Sequence, residues 1–199
     1  MKIIVIGAAG TIGRAVVERL GGHHDIITAG RGSGQERVAI EDHASVQALF
    51  RRTGAVDGVV VAAGALHLAP FHAMTPAQFR IGVDSKLMGQ VHVALAAQHA
   101  LNDGGSITLT SGIDACHAIR HGANAMAVNL ALEGFVAGAA LDLQRGVRIN
   151  VVAPTVLTES AAVYGHLFPG FEPADGTRVA LAYQRSVDGP ETGKVYRVY

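Results

Sequence analysis

The chain has 199 residues, 49% apolar and 16% charged, with 25 glycines spread along its length. That size and composition suit one globular domain and exclude a disordered chain or a multi-domain machine. Sixteen Lys plus Arg balance sixteen Asp plus Glu, so no basic face for nucleic acid or anionic lipid is expected, and a small, roughly neutral ligand is the better partner.

In chain order, short Val/Ile-rich runs predict buried parallel strands at Lys2 to Ile6, Asp25 to Ala29, Gly58 to Ala62, Ser106 to Thr110 and Val147 to Val152. Between them lie segments of helical period: Val16 and Leu20; Val46, Leu49 and Phe50; Phe79, Val83, Leu87, Val91 and Leu95; and Val128, Leu132, Phe135, Val136, Ala139 and Leu143. Thr75, Pro76 and Gln78 have the residue types of a capped helix start, and Asp42 is a second cap candidate. This alternation predicts an α/β fold, a Rossmann-like, doubly wound parallel sheet forming a single domain over 1–199, with ligands at the carboxyl ends of the strands. Only 155–176, with Pro169 and Pro173 among Tyr164, Leu167, Phe168 and Phe171, breaks the rhythm, and a substrate lid is expected there.

Met1 to Ala9 carries one lysine ahead of a very short apolar run that leads straight into a glycine motif, so it reads as mature structure and not as a signal peptide. The longest apolar stretches, such as Gly58 to Leu66, fall far short of the roughly 20 residues needed to cross a bilayer, and no membrane span is expected. The single cysteine, Cys116, excludes an intrachain disulfide and suits a reducing, cytoplasmic setting.

The first strand runs into Gly7-Ala8-Ala9-Gly10-Thr11-Ile12-Gly13 and then into a helical pattern. A glycine at 7 permits a tight turn, one at 10 lets backbone amides approach a pyrophosphate, and one at 13 lets the helix lie close on the strand, its positive end facing the anion. Gly7, Ala9, Gly10, Thr11, Ile12 and Gly13 are therefore candidate cofactor residues. After the second strand, where an NAD site carries an acid for the ribose hydroxyls, the chain has Ala29-Gly30-Arg31-Gly32-Ser33. Arg31 and Ser33 could grip a 2′-phosphate, which favours NADP(H) over NAD; the alternative for Arg31 is a solvated surface arginine.

With Ala62-Ala63-Gly64, Thr110-Ser111, Arg148-Ile149-Asn150 and Pro154-Thr155-Val156-Leu157-Thr158, these features make the chain resemble the short-chain dehydrogenase/reductase family over essentially its whole length. The resemblance implies that Ala62, Ala63 and Gly64 line the adenine-ribose side and that Pro154, Thr155 and Val156 hold the nicotinamide amide, with Thr158 near the pyrophosphate. It also implies that Ser111 orients a carbonyl, and that the helix containing Lys86 and the later one with Ala137 to Ala140 form the interface of a homodimer or homotetramer.

The departure from the family is as informative. Its Tyr-x-x-x-Lys pair falls on Ala125 and Asn129, and all four tyrosines, Tyr164, Tyr183, Tyr196 and Tyr199, come later. The usual general acid and the cation that lowers its pKa are therefore missing from their places. The family's helix asparagine falls on Lys86, whose ammonium could restore positive charge near the cofactor, unless it is a solvated or interface lysine. Asp114, His117, His121 and Tyr164 are further proton-donor candidates by neighbourhood, with His121 foremost. His117 and His121 are spaced for a metal but lack a third ligand, so no metal site is expected.

The leading expectation is a divergent NADP(H)-dependent oxidoreductase acting on a carbonyl or alcohol of a small apolar or aromatic substrate, with Ser111, Lys86 and His121 as catalytic candidates. The alternatives are a non-redox enzyme, an isomerase or cyclase, and a cofactor-sensing regulator.

Overall fold

The computed structural model describes residues 1–199. The strands are β1 (Lys2–Ile6), β2 (Asp25–Gly30), β3 (Glu36–Arg37), β4 (Val56–Val61), β5 (Leu101–Thr110), β6 (Arg148–Pro154) and β7 (Val195–Val198). They form one all-parallel sheet in the order β3-β2-β1-β4-β5-β6-β7. The helices are α1 (Thr11–Gly21), α2 (His43–Thr53), α3 (Pro76–Gly82), α4 (Met88–Ala100), α5 (Ala123–Asp142), the short α6 (Ala161–Tyr164) and α7 (Gly176–Asp188).

Both faces of the sheet are covered, which is why its strands are apolar runs and not alternating ones. Ile4 and Ile6 of β1 pack with Val46 and Leu49 of α2, Val93 of α4 and Val128, Leu132 and Val136 of α5. Ile3 and Val5, one pleat away, point to the other face and pack with Val16 and Leu20 of α1 and Val179, Tyr183 and Val187 of α7. Strand order reverses between β1 and β4, so the crevice where a doubly wound sheet takes its ligand opens beside the turn after β1.

The expected caps are present. Asp42 accepts from the Ala44 amide at 2.9 Å, and Thr75 forms a reciprocal capping box with Gln78. Two strands lie outside the sequence expectations: β3 has only two residues, both charged, and β7 only four, both at sheet edges. Helix α7 was also unexpected, although Val179, Tyr183 and Val187 have helical spacing. Helix α5, with 20 residues, is long and apolar enough by length and composition to cross a membrane, but it packs one face on the sheet.

Candidate active site

The turn after β1 is closed by a hydrogen bond from the Gly10 amide to the Gly7 carbonyl at 3.0 Å. A Cβ at position 13 would collide with that carbonyl, so a glycine is what lets α1 begin directly against the strand. Gly10 caps α1 with no side-chain hydrogen bond, which leaves the first amides of the helix for an anion.

Two cavities meet at Gly64 and Ala65, beside this turn. The first, about 590 Å³, is lined by Gly7, Gly30, Arg31, Val38, Glu41, Ala63 and Ser85 among others. Arg31 stands at its rim, largely exposed, and its guanidinium donates to Glu41 Oε1 at 2.7 Å. Ser85 Oγ donates to the same oxygen at 2.7 Å. Burial pushes the Glu41 carboxyl up, but the hydrogen bonds from Ser85, its own backbone and Arg31 outweigh burial and hold it below its ordinary value. Ser33 is exposed and does not line the cavity, and Ala62 turns its carbonyl toward Gly7.

The second cavity, about 540 Å³, is lined by Ile12, Lys86, Ser111, Asp114, Ala125, Asn129, Pro154, Thr155 and Val156, with Leu66, Leu68, Ile119, Leu157, Tyr164 and Phe168 supplying apolar wall. Leu157, Tyr164 and Phe168 come from the segment expected as a lid. Thr158, one residue past this wall, is exposed and donates its amide to the Ala174 carbonyl.

Lys86 reaches this cavity because of how its helix is built. Helices α3 and α4 are joined by a π turn over Val83–Leu87, which carries Lys86. One turn later, the Gln90 amide group donates to the Thr110 carbonyl and accepts from the Thr110 amide, both at 2.8 Å, pinning the helix to the end of β5. Lys86 Nζ then donates to the Ser111 carbonyl at 3.1 Å. Gly64, at φ 128°, lies so close to the Lys86 backbone that a Cβ there would sit 2.7 Å from its Cα.

Lys86 is buried, only 9% exposed, so it is not a solvated surface lysine. Burial pushes its pKa down to about 8, against the opposing pull of Asp114. Asp114 is also buried; burial holds its carboxyl above its ordinary value, and Lys86, its own backbone and Asn129 offset only part of that rise. Asn129 Nδ2 donates to Asp114 Oδ1 at 2.9 Å. Lys86, Ser111, Asp114, Ala125 and Asn129 thus line one cavity.

His121 is elsewhere. It is exposed at φ 63°, outside the residues that line the cavity, and its carbonyl accepts from the Ala69 amide. Asp114, from the same loop, is the titratable side chain that reaches the wall. Sequence reasoning missed Glu133: Ser111 Oγ donates to Glu133 Oε1 at 3.3 Å, and Arg197 of β7 donates to Glu133 Oε2 at 2.8 Å. Its position two helical turns after Ala125, on the same face of α5, is the signal that could have found it.

The residues present fit a nicotinamide dinucleotide. The turn offers free amides at a helix start, and the buried Thr155 Oγ1 and Asn129 Oδ1, both in residues lining the second cavity, have no hydrogen-bond partner within the protein. The comparisons agree with the geometry. Residues 36–196 match the family described as enoyl-(acyl carrier protein) reductase. A protein of Listeria innocua has the same fold with a TM-score of 0.98 and 42% identity, over 100% of both chains. A small-chain dehydrogenase in complex with NADPH is 25% identical, with a TM-score of 0.89 over 100% of this chain and 96% of that one. An oxidoreductase of Mycobacterium tuberculosis, described as uncharacterized, is 28% identical over 213 aligned positions, 90% of this chain and 75% of that protein. The chain belongs to the short-chain dehydrogenase/reductase family.

Proposed function

We propose that the protein is an NADP(H)-dependent oxidoreductase that interconverts a carbonyl and the corresponding alcohol on a small apolar or aromatic substrate, with Lys86 as the proton donor. The observation that carries this reading is the buried Lys86 ammonium on the cavity wall, tied to Ser111 at 3.1 Å. Bound NADPH supplies the hydride. As the carbonyl oxygen gains negative charge, Lys86 gives it a proton; with a pKa of about 8 the ammonium is charged at neutral pH and still a usable acid. Ser111, whose hydroxyl donates to Glu133 in the absence of substrate, orients the oxygen by turning that proton to it.

Leu66, Leu68, Ile119, Tyr164 and Phe168 favour an apolar or aromatic substrate, and 155–176 acts as its lid. Arg31 at the rim of the first cavity favours NADP(H): a 2′-phosphate would replace Glu41 as its partner. The amino-terminal turn with Gly7, Ala9, Gly10, Thr11, Ile12 and Gly13 receives the pyrophosphate, with Thr158 near it, Ala62, Ala63 and Gly64 beside the adenine-ribose, and Pro154, Thr155 and Val156 beside the nicotinamide amide. Exposed Leu95 of α4 and Leu130 and Leu141 of α5 are apolar side chains for a homodimer or homotetramer, and the lone Cys116 suits the cytoplasm.

The test is a calorimetric titration with NADPH and NADH, followed by NADPH oxidation against a panel of aryl and alkyl ketones. Lys86→Met is expected to keep NADPH affinity and lose turnover. Turnover that survives in the variant removes Lys86 from the role, and tight NADPH binding without turnover of any ketone by the unaltered protein removes the redox reading in favour of a non-redox enzyme or a sensor.

A further inference from the structure

Lys86, a potential cation, and Asp114, a potential anion, line one cavity, yet they make no ion-pair contact within 4.0 Å. Each is instead tied to a neutral group: Lys86 Nζ to the Ser111 carbonyl at 3.1 Å, and Asp114 Oδ1 to the Asn129 amide at 2.9 Å. Two buried charges held apart in this way are costly unless something bridges them, with an acceptor at the lysine end and a donor at the aspartate end. Asn129 adds to the demand at the second end. Its nitrogen is taken by Asp114, and its Oδ1 is a buried acceptor with no partner. Ala125, on the same wall, ends at a methyl group and leaves room for the bridging group.

We propose that the substrate carries a hydroxyl or amino group on the carbon next to its reacting carbonyl, and that Asp114 accepts from that group while Lys86 donates to the carbonyl oxygen. This deepens the oxidoreductase reading above and rests on it. The carbonyl carbon gains hydride from NADPH and the oxygen gains the Lys86 proton, leaving NADP⁺; the neighbouring group is unchanged, so a hydroxy ketone becomes a vicinal diol. A plain ketone fills only the lysine end and leaves Asp114 with no donor beyond Asn129 and its own backbone. Sites built to bond a substrate hydroxyl reject analogues that lack it far more strongly than they reject a missing methylene.

The experiment compares α-hydroxyacetophenone with acetophenone, which differ only in that hydroxyl. For the unaltered protein, kcat/KM is expected to favour the hydroxy ketone by about 30-fold or more, a charge-assisted hydrogen bond's share. Asp114→Ala is expected to bring the two within about 3-fold, with Asp114→Asn between; any effect on Lys86 itself falls on both ketones and cancels in the ratio. Equal kcat/KM values in the unaltered protein overturn the proposal, as does a preference that persists in Asp114→Ala. So does an Asp114→Ala variant whose affinity for NADPH falls about tenfold while the preference stays, because the acceptors then serve the cofactor. If neither ketone is reduced although NADPH binds, it is the redox reading that fails. Calorimetric binding of the two ketones to the NADP⁺ complex then decides the inference by the same ratio.

Discussion

Replacing Lys86 by methionine, a side chain of similar length without the charge, tests whether the ammonium is desolvated. Burial lowers the Lys86 pKa from 10.5 to about 8. At about 1.4 kcal/mol per pH unit, the charged folded form is penalised by about 3 kcal/mol relative to the unfolded chain. The sign follows from proton counts. Below about pH 8 both states hold the proton and the penalty is present in full; between about 8 and 10.5 the folded lysine is neutral while the unfolded one is charged, so stability rises with pH. The difference in unfolding free energy, unaltered protein minus Lys86→Met, should therefore climb by about 2 kcal/mol between pH 8 and 10. Groups common to both proteins cancel, and keeping to the alkaline side avoids the titration of Asp114. Urea unfolding at three pH values reads the change as a midpoint shift of about 1 M for a slope of about 2 kcal/mol/M. A flat difference curve would mean that water reaches the ammonium, and the argument that it is a tuned acid in a dry wall would fail.

Other consequences are checked separately. Ketone reduction at saturating NADPH should fall above about pH 8, because a proton donor of that pKa is spent on the alkaline side; a rate that rises through pH 9 contradicts the assignment. Arg31→Asp should weaken NADPH binding by about 10- to 100-fold, the share of a charge-assisted bond to phosphate, and leave NADH nearly unchanged. An unaltered NADPH/NADH ratio by calorimetry would assign Arg31 to Glu41 alone. Glu133→Ala should lower kcat by about fivefold without changing the NADPH dissociation constant, since the hydrogen bond that fixes the Ser111 side chain before substrate binds is worth about 1 kcal/mol. A kcat equal to that of the unaltered protein would show that Ser111 does not depend on Glu133.

How much of this was legible in the sequence depended on the range of the interaction. Strands β1, β4 and β6 announce themselves because burial on both faces forces Val- and Ile-rich runs, and the glycine turn does so because a Cβ at Gly13 has nowhere to go. Glu36–Arg37 has no such signature: two charged residues form a strand only because β2 lies beside them. The site divides in the same way. Lys86 and Ser111 could be nominated from position along the chain, but nothing in the sequence says that the lysine is buried. That follows from Gln90 clasping Thr110 one turn later and from Gly64 making space beside the helix, contacts between residues 20 or more apart in the chain. His121 and Asp114 lie in one loop, and histidine is the usual candidate for proton transfer at neutral pH. The loop's path decides otherwise, because the short helical turn at Ile113–Ala115 aims Asp114 at Asn129 while position 121 takes a left-handed conformation at the surface. The lysine of the π turn and the aspartate of the loop thus come to line one cavity through contacts that no local pattern announces.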